Sequence, residues 1–287
     1  MITLAAGKAK ARIVPQMGGG LAGLWADDLP VLRPWSGRAE DGPFALACNL
    51  LLPFSNRMSC GGFTHDGQHF PIAPNLPGEA YPIHGDVFQR SWQVDSRSQT
   101  KSELSLQNGA IGPFRYVARV SYHLTPGALD VRLSVTNQGH FGLPFGLGLH
   151  PWFPRDPATR LQFTATGHWP ETLDHLPATN DPLPLDHGGV WHDLAALPEG
   201  WINTAFSGWD GHAQISQGPH AASSRMTVSG LGTALLYSPS ATADFFCFEP
   251  VSHPVDAHNL PGQPGLTRLD PGESLTVSMT LTWGQIR

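Results

Sequence analysis

Apolar and polar residues alternate along much of this chain. Tyr116, Ala118, Val120 and Tyr122 are interleaved with Arg119, Ser121 and His123, and Val131, Leu133 and Val135 repeat the pattern beyond a Pro126-Gly127 turn. A period of two on both sides of a turn predicts a hairpin with one buried face. The stretches "SRMTVSG" and "TALLYSP" predict a second hairpin pair, and "ESLTVSMTLTW" a late strand with Leu275, Val277, Met279 and Leu281 on one side. No segment sustains a helical period. Pro170 to Pro198 holds several prolines and reads as a long excursion over the surface. With no linker and no internal repeat, the expectation is an all-β protein, one large antiparallel β-sandwich domain over residues 1–287.

Composition agrees. Hydrophobic residues make up 40%, enough for a sizeable core, and charged residues only 14%, against the usual quarter or so. Gly (32) and Pro (27) are abundant but dispersed, which signals turns rather than disorder. A formal charge of −6 gives no electrostatic footprint for nucleic acid. The cysteines, Cys48, Cys60 and Cys247, form no CxxC pair, which argues against a zinc ribbon, a redox motif or a disulfide framework. The first twenty residues lack a long apolar run. Neither a signal peptide nor a membrane span is expected, and the default is a soluble cytoplasmic protein.

Polar residues stand out against this apolar scaffold in four places. "NLLLPFSNRMSCGGF" delivers Asn56 and Arg57 at the end of an apolar run; "YPIHGDVF" presents His84 before Gly85; "GLGLHPWFPR" encloses His150; and "FFCFEPVSHPVDAHNLPG" places Glu249 directly after an aromatic run. Each has an ordinary structural reading: a surface arginine, a core histidine, a strand-end glutamate. Against these, a guanidinium suits a dense set of hydroxyl acceptors. A buried carboxylate needs a partner or a ligand.

Glu249, His253, Asp256 and His258 are all potential metal ligands. Pro250 and Pro254 rule out a helix that would face such residues together, and four residues of extended chain span about 13 Å. No metal is expected. No Gly-x-Ser-x-Gly elbow is present, so nucleophilic hydrolysis is weak. A glycosidase needs a second carboxylate beside Glu249, for which Asp210 and Asp244 are the candidates.

Together these islands resemble the aldose 1-epimerase (galactose mutarotase) family. The matching elements run in the family's order: "SNRM" with "GGF", "IHGD", "GLGLHPWF", "WINTAFSGWDG", "FEPVSHPVDAHN" and "GLTRLDPGESL", with "GKAKARIVPQMGGGLAGL" similar to its opening strands. The resemblance implies a large β-sandwich with a sugar cleft, an acid in His150 and a base in Glu249. It further implies sugar contacts from Asn56, Arg57 and His84. At the "WINTAF" position, where the family commonly has aspartate, this chain has Asn203. An amide keeps an acceptor but loses the charge, which suits an anionic sugar better than aspartate does.

The expected function is the interconversion of aldose anomers by acid–base ring opening, with no cofactor and a small sugar as the partner. His150 is expected to have a raised pKa, held by the Glu249 charge. Trp152 and Trp201 are candidate apolar faces for the sugar. Two alternatives remain open: a mutarotase for a phosphorylated or sulfonated sugar, with Arg57, Arg155 or Arg90 as cationic contacts, and a non-catalytic sugar-binding sandwich. A glycoside hydrolase of the same class is a third.

Overall fold

In the Phe114–Leu124 strand, Tyr116, Ala118, Val120 and Tyr122 are buried while Arg119 is exposed. The strand pairs with Ala128–Asn137 in the register Ala118 to Val135, Val120 to Leu133 and Tyr122 to Val131. The predicted hairpin is thus present, because a one-residue slip would turn its whole apolar set to water. This computed structural model describes residues 1–284; residues 285–287, the end of the expected domain, lie outside the described residues.

Two large sheets dominate, one of eleven strands and one of nine, with two further two-stranded pairs. The pairings within them are antiparallel. Among the described residues the helical elements are six short 3₁₀ turns. None is long and apolar enough to cross a membrane. The two sheets share one core: Leu149, Phe153, Phe246 and Phe248 from the larger pack in the same cluster as Val120, Leu133 and Met279 from the smaller. This is the expected β-sandwich.

The predicted pairing of "SRMTVSG" with "TALLYSP" is not what forms. Ser224–Ser229 joins the nine-stranded sheet, between His212–Ser216 and Ser274–Trp283. Thr233–Ser238 joins the eleven-stranded sheet, between Ile202–Ser207 and Phe245–Val251. The Gly230–Gly232 turn carries the chain from one sheet to the other. The burial patterns give the reason: the first strand alternates, as a half-exposed strand must, and the second is almost continuously buried.

That continuous burial is general in the middle of the larger sheet, at Cys48–Leu51, Gly148–Pro154, Thr233–Ser238 and Phe245–Val251. Successive side chains point to opposite faces. Leu50, Leu236, Phe206 and Phe248 enter the main core, while their neighbours Leu51, Leu235 and Ala205 join a second cluster with Val251, Val255 and Leu260. The sheet is therefore covered on both sides, and the second side carries the polar residues.

Candidate active site

Strand register places the two central groups. Gly148 pairs with Val251 and Trp152 with Cys247, so His150 lies directly opposite Glu249 on the adjacent strand. On the other flank His150 pairs with Asn49, and Glu249 pairs with Leu235. The next row on the same face runs Trp152, Cys247, Tyr237, Asn203. A cavity of about 230 Å³ opens over these rows and is lined by His150, Glu249, Trp152, Tyr237 and Asn203. Asn56, Arg57, His84 and Trp201 also line it, so the expected acid and base and the candidate sugar contacts other than Arg90 and Arg155 meet in one cleft.

His150 Nε2 lies 3.3 Å from Glu249 Oε1, and both side chains are more than nine-tenths buried. Burial pushes the imidazole down to about 3; its own backbone carbonyl opposes this, and the Arg33 charge adds to it. Burial pushes the Glu249 carboxyl up to about 8, against the pull of the Arg57 charge. The raised pKa expected for His150 is therefore not found. The carboxylate that was to hold an imidazolium is itself buried and stays protonated, so no full negative charge faces the ring. A neutral imidazole beside a carboxylic acid contains the same protons as an imidazolium beside a carboxylate. The two forms differ only in where one proton sits. Glu249 Oε2 is buried without a hydrogen-bond partner. That ordinarily costs about 1–3 kcal/mol.

The rings around His150 fix its orientation. Trp152 stacks on it, centroids 4.8 Å apart and planes 11° from parallel. The Arg33 guanidinium sits 4.3 Å from the Trp152 centroid, and Trp152 Nε1 donates to Asn49 Oδ1. Trp152 borders the cleft, but His150, Arg33 and Phe245 already pack on its ring, so its role as an open face for a sugar is not supported. Trp201, half exposed on the cleft wall, has the free surface instead. Gly146 and Gly148 allow close packing beside the His150 strand. A Cβ at Gly146 would lie 2.1 Å from the His253 ring, and one at Gly148 2.7 Å from Val251.

On the opposite wall, His84 has a left-handed backbone (φ 59) and is followed by Gly85, also left-handed. A Cβ at Gly85 would lie 1.6 Å from the Leu52 carbonyl, so the glycine accommodates backbone rather than ligand. His84 Nδ1 accepts the Asn56 backbone N–H at 3.0 Å. Burial, with the charges of His150, Arg57 and His253 adding to it, holds its pKa well below the usual histidine range. The ring is thus a neutral tautomer with its proton on Nε2. Asn56 Oδ1 accepts from the Arg57 N–H, which leaves Nδ2 as the donor it can offer. Arg57 is not a free cation: Nε and Nη2 both donate to Glu79 at 3.0 Å, a two-pronged pair inside the cleft.

The two other arginines named as cationic contacts lie elsewhere. Arg155 donates to Ser238 Oγ and the Pro198 carbonyl, and Arg90 pairs with Asp86 at 2.7 Å. Asp210 caps the His212 N–H outside the cleft, and Asp244 does not line it. The third wall carries Asn203, whose Nδ2 donates to Glu171 Oε1 at 2.7 Å. The negative charge that the amide removes is thus resupplied directly behind it.

The other possible metal ligands brace the loop after the glutamate strand. His253 Nε2 accepts the Ser55 N–H, His258 Nε2 bonds the Pro144 carbonyl, and Asp256 accepts from the Ser59 N–H and hydroxyl. Among the described residues, His150, Cys247 and Glu249 bring ligand atoms within 4.8 Å of one another. Burial holds the Cys247 thiol well above its usual range, and Glu249 is likewise held neutral. The set offers no anionic ligand at rest and suits proton exchange better than a cation.

Sequence reasoning missed Phe44, Glu79, His175 and Tyr237 in the lining and Glu171 behind it. Tyr237 was within reach, since the "TALLYSP" alternation puts it on the face of Leu235. Glu171 and His175 fall in the irregular excursion, which has no period to read.

The family model for aldose 1-epimerases matches residues 1–282. An uncharacterized protein of Escherichia coli (strain K12), YphB, is 37% identical over 97% of this chain and 97% of its own. A crystal structure of a candidate aldose 1-epimerase from E. coli K12 superposes with a TM-score of 0.91 at 34% identity, over 99% of this chain and 98% of that one. A galactose mutarotase-like protein from Clostridium acetobutylicum superposes with a TM-score of 0.86, over 99% and 95%. At 19% identity, that last likeness concerns the fold alone.

Proposed function

The chain belongs to the aldose 1-epimerase family, and from that premise we propose that it interconverts the α and β anomers of a free, neutral aldose by opening and reclosing the sugar ring. The observation that carries the reading is the His150–Glu249 pair, 3.3 Å apart at the floor of the cleft. Sugar hydroxyls entering the cleft hydrogen-bond to Glu249 Oε2 and so favour the carboxylate form, sending its proton to His150 Nε2. Glu249 then removes the proton from the anomeric hydroxyl while His150 delivers one to the ring oxygen. The C1–O5 bond breaks and C1 becomes an aldehyde. After rotation about C1–C2, the two groups return the protons in reverse and the ring closes on the other face. Nothing is oxidised and no group leaves.

The remaining walls have binding roles in this reading. The His84 Nε2–H and Asn56 Nδ2 donate to sugar oxygens, and Arg57 offers the N–H groups that Glu79 leaves free. Asn203 grips a hydroxyl on the far side, and Trp201 offers an apolar face to the C–H surface. A neutral sugar is favoured over a phosphorylated or sulfonated one because the cleft's arginine is already paired with Glu79. Magnetisation exchange between the anomers of D-glucose and D-galactose, measured by NMR with and without protein, tests the reading. Faster exchange is expected. Sugar binding without exchange would instead make the protein a non-catalytic binder.

A further inference from the structure

Glu171 lies behind the cleft wall rather than in it, in a small hollow with Trp169, Leu176 and Val255. Three residues that do line the cleft, Asn203, Trp201 and His175, converge on its carboxylate. We infer that Glu171 is a positioning residue that sets the polarity of Asn203, turning its Oδ1 into the cleft as an acceptor for a sugar hydroxyl. This inference rests on the mutarotase reading above.

A carboxylate only accepts hydrogen bonds, so every group that meets it must donate. Oε1 takes the Asn203 Nδ2–H and pairs with the His175 ring, and Oε2 takes the Trp201 Nε1–H at 3.0 Å. With Nδ2 held at 2.7 Å, the oxygen of the same planar amide is the end left for the cleft. The indole bond also fixes Trp201, whose half-exposed ring would otherwise be free to swing. Aspartate at 203 would set a second carboxylate against the first, at the distance now spanned by the amide bond. Asparagine with Glu171 behind it therefore gives the cleft an acceptor and keeps the local charge. It is one carboxylate and one acceptor, divided between two residues.

The pairing predicts a reversal of polarity. In Glu171→Gln, a single oxygen must serve both Trp201 and Asn203. The amide at 203 then turns its oxygen to the new Nε2 donor and presents Nδ2 to the sugar. In Asn203→Asp, two carboxylates repel. In the double variant the Gln Nε2 donates to the Asp, the Gln oxygen accepts from Trp201, and the free Asp oxygen faces the cleft. Every group is satisfied again once His175 accepts the second Gln Nε2–H on Nδ1 and keeps its own proton on Nε2.

The test is this double-mutant cycle on the full chain, read by NMR anomer exchange on D-glucose and D-galactose and by thermal unfolding. Each single variant is expected to raise KM about tenfold, the loss of one hydrogen bond, with kcat within about twofold because His150 and Glu249 are untouched. The double variant is expected to return KM to within about threefold of wild type. Unchanged KM in Glu171→Gln, or a double variant no better than Asn203→Asp, overturns the inference. A general structural role would impair kcat and KM together and would not be rescued. If the wild-type protein exchanges neither sugar, the mutarotase reading fails separately. The Tm values then decide the pairing: recovery in the double variant supports it, and additive losses overturn it.

Discussion

His150 and Glu249 face each other across neighbouring antiparallel strands, Nε2 to Oε1 at 3.3 Å, on the outer face of the larger sheet. Both sit on adjacent strands rather than on loops, so the separation is set by the sheet. Replacing either removes half of a proton relay. Glu249→Gln or His150→Asn is expected to lower kcat/KM for anomer exchange by about 10²–10⁴-fold. Circular dichroism should stay close to wild type, and the Tm of Glu249→Gln near neutral pH should not fall, because the variant removes a buried group that loses stability as pH rises. Full exchange activity in either variant would remove that residue from the mechanism.

The same pair fixes a pH profile. The relay works while the two groups share one exchangeable proton. Below the lowered imidazole value, about 3, both are protonated and no base remains. Above the raised carboxyl value, about 8, both are deprotonated and no acid remains. The profile of kcat/KM against pH is therefore expected to be a broad bell whose alkaline limb falls near 8, with both limbs belonging to the pair rather than to either residue. A profile that instead falls on the acid side near the ordinary histidine value of 6.5 would mean that His150 titrates as an exposed ring.

How much of this was legible in the sequence depends on periodicity. The hairpin that sets Val120 against Leu133 is written in strict alternation, and the strand from Ser274 in the same code. His150 and Glu249 were found because each interrupts a wholly apolar run, which is how a polar residue on a doubly covered sheet must look. What alternation cannot encode is which strands meet. The segments containing Met226 and Leu235 are neighbours in sequence but lie in different sheets. Nor could the sequence show that burial outweighs charge at His150, since that depends on Glu249 being buried as well. Glu79 and Glu171 lie in irregular chain, where position follows from tertiary packing alone.

Buried titratable groups also shape stability. His84, His150, His253 and His258 all have folded pKa values depressed by burial, so the unfolded chain binds more protons than the native one as pH falls below 6.5. Their contribution is complete above that value and is lost on acidification, at up to about 1.4 kcal/mol per pH unit per group. Glu249 has the opposite sign. Its folded value is raised from 4.5 to about 8, so its contribution is complete below 4.5 and is lost as pH rises through 8. Four groups outweigh one on the acid side, and Glu249 acts alone between 6.5 and 8. Stability from urea unfolding should therefore peak near neutrality. Glu249→Gln should flatten the alkaline decline and leave the acid one in place.

The Arg57–Glu79 pair yields a prediction about substrate charge. Both residues line the cleft, and the guanidinium donates twice to Glu79 at 3.0 Å, so an entering anion meets a neutralised pair rather than a cation. D-glucose is expected to exceed glucose 6-phosphate in kcat/KM by at least about tenfold, the cost of one unmatched charge contact near a partly buried site. Glu79→Gln removes the counter-charge and should narrow that gap. It should act at the floor of the cleft as well. Arg57 already pulls the Glu249 pKa down, and an unpaired Arg57 pulls harder, so the alkaline limb of the pH profile should move below its wild-type position. Anomer exchange measured for both sugars across pH 6–9 reads the two effects together. A variant with unchanged sugar preference and an unmoved limb would show that Glu79 does not control the Arg57 charge.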